Sequence, residues 1–360
     1  MGAGDYMRFT FMCKSEKPIK RIDKRIAIVG AGPSGLATAG YLACKGYSIT
    51  IFERLPYPGG MMVFGIPSFR IPRERVFLGC KELEDVFDVE IKAGCKVVGD
   101  EQEILGDDLV KEYFELQEVI DNFDATVIAT GTWISKNLPA LGYNTGGIYS
   151  ALEYLYRNRA SELKLIPKKE KIKLDTKVAV IGSGLVAIDA ALDALGEGCD
   201  VKLISIEKLQ EAPAGIHEVN KLKNQGVEHL ERVVIKRVIG DKKVKALELI
   251  DVKAEIKGGL ILKLEQILGT ERIIEDIDNV VVAIGQVPTP PIRKESRALT
   301  LGIRLLRWGG IEINDNFLTS NKKVFATGDV ATGASKVGRA FQAGLKTASW
   351  VDRRLQDNSR

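Results

Sequence analysis

Arg25-Ile26-Ala27-Ile28-Val29 is a short apolar run rich in β-branched side chains. That is the pattern of a strand buried on both faces. Gly30-Ala31-Gly32-Pro33-Ser34-Gly35 interrupts it, and Leu36 to Lys45 then follows helical spacing until Gly46 stops it. Ser48 to Phe52 alternates like a second strand and ends in Glu53. The same succession returns later. Lys177-Val178-Ala179-Val180-Ile181 leads into Gly182-Ser183-Gly184-Leu185-Val186-Ala187, and a helical run extends to Leu195. Gly196 and Gly198 end that run, and Val201 to Ile204 is the next strand. Two further apolar strands end in glycine, Phe123 to Gly131 and Asp278 to Gly285, and Val244 to Ile274 alternates like a strand meander. Near the end, Lys323 to Asp329 is a strand closing on Gly328-Asp329, and Val337 to Leu355 has helical periodicity.

Between these landmarks the pattern predicts a helix over Arg73 to Phe87 and short strands at Val89 to Ile91 and Lys96 to Val98. Arg54 to Pro72 holds Pro56, Pro58, Pro67 and Pro72 with Gly59, Gly60 and Gly65. So many breakers exclude a regular element. The loop nevertheless carries Met, Phe and Ile, so it is expected to pack on a flat apolar surface. Arg157 to Asp175 is charged and lysine-rich and reads as a solvated connection. Residues 1–22 read as an arm. Alternating strands and helices make the chain α/β, with 23–150 and 286–360 as one discontinuous domain and 151–285 as an insert.

The glycine turns carry chemistry. Gly30 permits the tight turn, Gly32 lets a pyrophosphate approach the backbone, and Gly35 lets the helix lie close to the strand. The following helix N-terminus offers free N–H groups to phosphates, and Glu53 stands where a carboxylate accepts from a ribose. In the second copy Ala187 replaces the third glycine, which helix packing tolerates. A repeat of the whole unit is far more specific than either motif alone. Asp329, at a strand end, can accept from a polyol chain. The helix starting near Val337 can present its positive end to an electron-rich ring.

Composition narrows the classes. The chain has 360 residues, 45% of them hydrophobic, and a net charge of +4. That suffices for two cored domains, and without clustered Lys and Arg it excludes a nucleic-acid face. No secretory leader and no apolar run of about 20 residues is visible, so the chain reads as a cytoplasmic protein without a membrane span. His217 and His229 are the only histidines, which excludes a histidine-rich metal site. Cys13, Cys44, Cys80, Cys95 and Cys199 contain no CxxC pair. A thioredoxin-reductase-like disulfide chemistry, which needs neighbouring redox cysteines, is therefore disfavoured.

The paired glycine motifs, the two strands ending in glycine and Ala326-Thr327-Gly328-Asp329 resemble the two-dinucleotide-binding-domain flavoproteins. The loop Pro58-Gly59-Gly60-Met61-Met62, continuing to Gly65-Ile66-Pro67-Ser68-Phe69-Arg70, is similar to that of glutamate synthase small subunits and their relatives. Gly60-Met61-Met62 and Glu211-Ala212-Pro213-Ala214-Gly215 resemble the heterodisulfide-reductase A-like flavoproteins of sulfur oxidisers. The likeness covers about residues 22 to 355. It implies two Rossmann-like domains of the thioredoxin/glutathione reductase type, the second inserted into the first.

It further implies FAD on the first unit, held by Gly30, Gly32, Pro33, Ser34, Gly35, Glu53 and Arg54. Gly60 and Met61 of the loop join them, with Val97, Thr130, Gly131, Gly328, Asp329 and Val337. On the second unit it implies a nicotinamide dinucleotide at Gly182, Gly184, Leu185, Val186, Glu207 and Gly285. The family places arginines for a 2′-phosphate where this chain has Ile206 and Glu207, so NADH is expected over NADPH. A [4Fe-4S] cluster on Cys13, Cys44, Cys80 and Cys95 is a further implication of the likeness. The expected activity is electron transfer between NADH and an iron–sulfur centre or protein, with no side chain acting as acid or base. Such a chain would work as a homodimer or as a subunit of a larger complex. The alternative outside enzymology is an FAD-bearing relay whose second unit binds no nicotinamide.

Overall fold

The computed structural model describes residues 10–11, 21–138, 145–257 and 260–357. It divides into two compact units, 1–134 with 286–360 and 135–285. Each is built on a five-stranded parallel sheet.

In the first unit the strand order is Val324–Ala326, Ala125–Ile128, Arg25–Val29, Ser48–Glu53, Glu90–Ala93, all parallel. Ile26, Ala27 and Ile28 of the central strand are fully buried. A strand covered on both faces must be apolar at odd and even positions alike. The helix Pro33–Lys45 follows, with Pro33 at its first turn, where the missing N–H costs nothing. It ends on Gly46, whose φ of 100° is left-handed and suits glycine. Leu36 to Leu42 of this helix are buried except Tyr41. One partner is the 21-residue helix Val337–Asp357. The two backbones approach closely: a Cβ on Gly344 would lie 2.2 Å from Ser34 O. Thr38 Oγ1 donates to Ser34 O and to Gly344 O, and Tyr47 OH donates to buried Asp352 at 2.9 Å. These bonds return the end of the chain to its first helix.

In the second unit the order is Glu228–Leu230, Asp200–Ile204, Lys177–Ile181, Asn279–Val282, Ile148–Ser150, again all parallel. The repeat extends to single hydrogen bonds. Gly30 N donates to Phe52 O and Gly182 N to Ile204 O; Ala129 N donates to Val29 O and Ala283 N to Ile181 O. The alternating stretch forms an antiparallel sheet of Val233–Ile239, Ala246–Lys257, Leu260–Gln266 and Arg272–Glu275.

Three readings are corrected. The chain enters the second unit at 134/135 rather than 150/151, because Ile148–Ser150 pairs with Asn279–Val282 in that unit's sheet. Arg157 to Asp175 is not all solvated: a helix runs over Ala151–Glu162. Asn158 and Arg159 are buried within it, with Arg159 Nη2 2.8 Å from Asp193, whose side chain is 8% exposed. Charged composition concealed this, because a buried ion pair looks like surface until its partner is known. The breaker-rich loop contains one helical turn, Met61–Phe64, with Met62, Val63 and Phe64 buried, while Phe69 further along is 62% exposed. The arm lies largely outside the described residues, yet Phe11 is buried with its ring 6.2 Å from that of Phe341.

Candidate functional site

The three glycines of the first turn have three different physical reasons. Gly30 has φ 105°, and a Cβ there would meet Ala129 O at 2.6 Å. A Cβ on Gly35 would lie 2.0 Å from Gly30 O. Gly32 is the opposite case: nothing lies within 4 Å of its Cβ position, and its φ of −75° suits any residue. Only Gly32 therefore faces open space. It caps the helix Pro33–Lys45 with no side-chain hydrogen bond, so the first-turn N–H groups have no protein acceptor from a cap.

Two other glycine turns converge here. A Cβ on Gly60, before the turn Met61–Phe64, would come 2.9 Å from Gly32 Cα. One on Gly328, before Asp329–Thr332, would come 2.4 Å from Ser34 Oγ. Neither cap has a side-chain bond. Three segments far apart in sequence thus meet around one opening, Gly60 against the Gly32 backbone and Gly328 against the Ser34 side chain.

The polar groups at this place are buried. Glu53 is 5% exposed; its carboxylate accepts from Ala31 N at 2.7 Å and Leu55 N at 2.8 Å. Burial pushes its pKa up, and the Leu55 and Ala31 amides oppose that. Asp329 behaves alike: burial raises its pKa, while Ser335 Oγ donates to it at 2.6 Å. The hydroxyls of Thr130 and Thr327, each just beyond the end of an adjacent parallel strand, are buried with no hydrogen-bond partner. Buried orphan hydroxyls, an open glycine, uncapped N–H groups, the buried Glu53 and the half-buried Asp329 fit a dinucleotide with a polyol chain.

Arg54 and Val97 are placed otherwise. The Arg54 guanidinium stacks 4.4 Å from the Trp133 ring centroid and donates to Leu105 O at 2.7 Å. Asp107 lies beside it and takes the buried Lys96 ammonium at 2.5 Å. The Val97 side chain packs in the core with Val29 and Phe52, leaving only its backbone for a ligand. Val337 opens the helix Val337–Asp357 and is half-buried. Gly131, with φ 72°, follows Thr130.

The second unit repeats the opening. A Cβ on Gly182 would meet Ala283 O at 2.5 Å, whereas Gly184 faces nothing within 4 Å. Gly184 caps the helix Leu185–Gly196 without a side-chain bond. Ala187 is fully buried, so a methyl fits where the first unit needs a hydrogen. Leu185 and Val186 are half-buried at this helix start, and Gly285 has φ 114°. Glu207 Oε2 accepts from Ser183 Oγ at 3.0 Å, which ties the acid to the glycine turn. Arg232 is committed to Ile206 O and to Glu211.

Sequence reasoning missed Ser205 and His229. Ser205 Oγ donates to Glu207 O and lies 2.9 Å from His229 Nε2. With its one proton used, the serine leaves His229 Nε2–H as donor. Burial lowers the His229 pKa; Glu231 opposes this and Lys223 adds to it. Only the pairing of Leu203 with His229 on neighbouring strands brings them together.

The model of the pyridine nucleotide-disulphide oxidoreductase family matches residues 20–344. The chain belongs to that family. Within it, the chain is 32% identical to the NADP(+)-dependent formate dehydrogenase subunit beta of Moorella thermoacetica, over 93% of this chain and 44% of that protein. It is 28% identical to the glutamate synthase [NADPH] small chain of Escherichia coli, over 92% of this chain and 69% of that one. The chain thus spans less than half of the first relative. The solved Mycobacterium tuberculosis FprA–NADPH complex shares the fold, with TM-score 0.73 and 17% identity over 93% of this chain and 85% of that one. This membership and the matching small chains show the glutamate synthase small-subunit-like FAD/NAD(P) oxidoreductase that the motifs resembled.

The family name refers to disulfide chemistry, to which three of the described cysteines are ill suited. Cys80, Cys95 and Cys199 are free and buried, and burial raises each thiol pKa. They also correct the cluster expectation. Among the described residues no three His, Cys, Asp or Glu side chains are grouped to hold a metal. Cys44 is in a disulfide, and Cys13 lies outside the described residues. Among the described residues no helix is long and apolar enough to cross a membrane.

Proposed function

We propose that this chain is an electron-transfer component of a redox complex, with FAD on the first unit and NADH on the second, serving an iron–sulfur centre of a partner. The duplicated turn carries the reading: Gly32 and Gly184 alone of their motifs face open space, each at an uncapped helix start. Bound FAD would supply the exchange between the two-electron chemistry of nicotinamide and the one-electron chemistry of iron–sulfur centres.

The chain's own residues bind and orient. Gly32 and the amides after it receive the pyrophosphate, and Glu53, held by two backbone amides, accepts from the ribose. Asp329 and the orphan Thr130 and Thr327 hydroxyls address the polyol and ring. Met62 and Phe64, buried beside Gly60, support the loop that closes on Gly32.

For the second unit the names of both curated relatives point to NADP(H). Glu207 argues for NADH here. A carboxylate at the adenosine ribose repels a 2′-phosphate and accepts from a free hydroxyl, and the nearby Arg232 is already paired with Glu211. Partnership with a further subunit is supported by the relatives' names as subunits or chains.

The test is anaerobic mixing of the yellow protein with NADH. Bleaching near 450 nm within the time of turnover is expected, since oxidised flavins absorb there and reduced ones do not (roughly, for protein-bound flavin). A protein that retains FAD but is not reduced by NADH or NADPH would instead be a relay without a nicotinamide site.

A further inference from the structure

The antiparallel sheet of the second unit ends in an arm. The strand Ala246–Lys257 continues past its last pairing with Val233–Ile239, at Asp251, and from Val252 it is paired with Leu260–Gln266. Cross-strand neighbours on one face of this arm are Lys253 with Glu265 and Glu255 with Lys263. Ala254 pairs with Leu264 on the other face. Leu262 and Leu264 are about half exposed, as are Ile261 and Ile273, and Leu268 is 81% exposed.

Leu260–Gln266 is an outermost strand of its sheet among the described residues. Edge strands are usually blunted by proline, by isolated charges or by a cover. This one reads Leu-Ile-Leu-Lys-Leu-Glu-Gln, with no proline. Its free backbone groups can be identified. Ile267 N donates inward to Asp251 O, and backbone groups alternate sides along an antiparallel strand. Glu265 and Lys263 therefore turn theirs inward, and Leu264 and Gln266 turn theirs outward.

We infer that this edge pairs with the same edge of a second copy, antiparallel, about a two-fold axis at Leu264. The choice of occupant follows from charge. With Leu264 opposite Leu264 of the second copy, Lys263 faces Glu265 of that copy and Glu265 faces its Lys263. Moving the axis one residue either way sets Lys263 against Lys263 or Glu265 against Glu265. Like charges directly opposite destabilise a strand pair. The sequence is thus self-complementary in one register, and in that register Leu264 presents its free N–H and C=O to their equivalents. Such a two-fold contact is the commonest form of self-association. A pairing of two seven-residue strands is smaller than the roughly 1,200–2,000 Å² of a standard interface, so the pairing is reversible and concentration-dependent.

The test is sedimentation velocity of the purified holoprotein over about 1–200 µM, the range in which a small interface of this kind dissociates. Self-association is expected in the parent. Lys263→Glu and Glu265→Lys should each weaken it at least about tenfold, since each single change makes both symmetric pairs like-charged. The quadruple variant Lys253→Glu/Glu255→Lys/Lys263→Glu/Glu265→Lys, which inverts the pairs within the arm and those across the axis together, should restore it. Lys263 and Glu265 have side chains 62% and 53% accessible, and the far-UV circular dichroism of each variant is compared with that of the parent to confirm that it folds. A monomer at every concentration overturns the inference. So does a dimer indifferent to the single reversals, or failure of the quadruple variant to recover. Strand pairing seen only with a different protein overturns it as well.

Discussion

Gly32 and Gly35 are three residues apart, and substituting them should fail in different ways. In Gly35→Ala the new methyl would stand 2.0 Å from Gly30 O and 3.1 Å from Gly30 C. Both are backbone atoms of the turn and cannot rotate away, so strand and helix must separate. The helix buries Leu36, Ala39 and Leu42 completely. Overpacking of this kind costs about 1–3 kcal/mol or more, and the variant should be destabilised with or without ligand. In Gly32→Val the new Cβ meets nothing within 4 Å, and the backbone angle is extended. Its only cost to the apo-fold is a poorer helix cap, about 1 kcal/mol or less. For the ligand it fills the opening where a pyrophosphate would take the first-turn amides. Losing two charge-assisted hydrogen bonds, at about 1.5–3 kcal/mol each, weakens FAD by on the order of 10²–10⁴-fold. The assay pairs the flavin-to-protein ratio after purification with urea unfolding of deflavinated protein. Gly32→Val should fold and lose flavin; Gly35→Ala should lose stability first. Stoichiometric FAD of unchanged affinity in Gly32→Val would refute the placement of the pyrophosphate.

The flavin should be reduced faster by NADH than by NADPH, and Glu207→Arg should narrow or reverse that ratio by about 5- to 150-fold; stopped-flow at equal coenzyme concentrations decides, and faster NADPH reduction in the parent sinks the argument. Arg159→Ala leaves Asp193, whose side chain is only 8% exposed, without its ion-pair partner. It should cost about 3–5 kcal/mol in urea unfolding, and a loss below about 1 kcal/mol would show that the pair is solvated. His229 has its pKa lowered by burial. The unfolded chain therefore takes up a proton near pH 6.5 before the native chain does, and stability falls as pH drops from about 6.5. In His229→Gln the decline should be shallower over that window; identical urea midpoints against pH in both proteins would count against a buried neutral imidazole. Asp329→Ala should lower retained FAD while leaving NADH binding to the second unit unchanged, as separate titrations of flavin content and coenzyme binding would reveal.

Much of the first unit is legible from residues 25–53 alone. A run of β-branched residues, a turn that only glycine can make at φ 105° and a periodic helix ended by a left-handed glycine are all local demands. Each is met within a few residues, so each leaves a mark in the order of residues. The repeat at residue 177 is legible for the same reason, and so is the acid Glu53. Other features needed the folded chain. Nothing near Gly60 or Gly328 says that their backbones come to rest against Gly32 and Ser34. Arg159 looks like surface until Asp193, 34 residues away, is seen beside it. Ser205 and His229 meet only because parallel pairing sets Leu203 opposite His229. The four cysteines suggested a cluster by likeness, but ligation depends on distances that spacing along a chain does not contain. Local stereochemistry decides which residues turn, cap and extend. Long-range packing decides which of them become neighbours, and a binding site made from three distant segments belongs to the second kind.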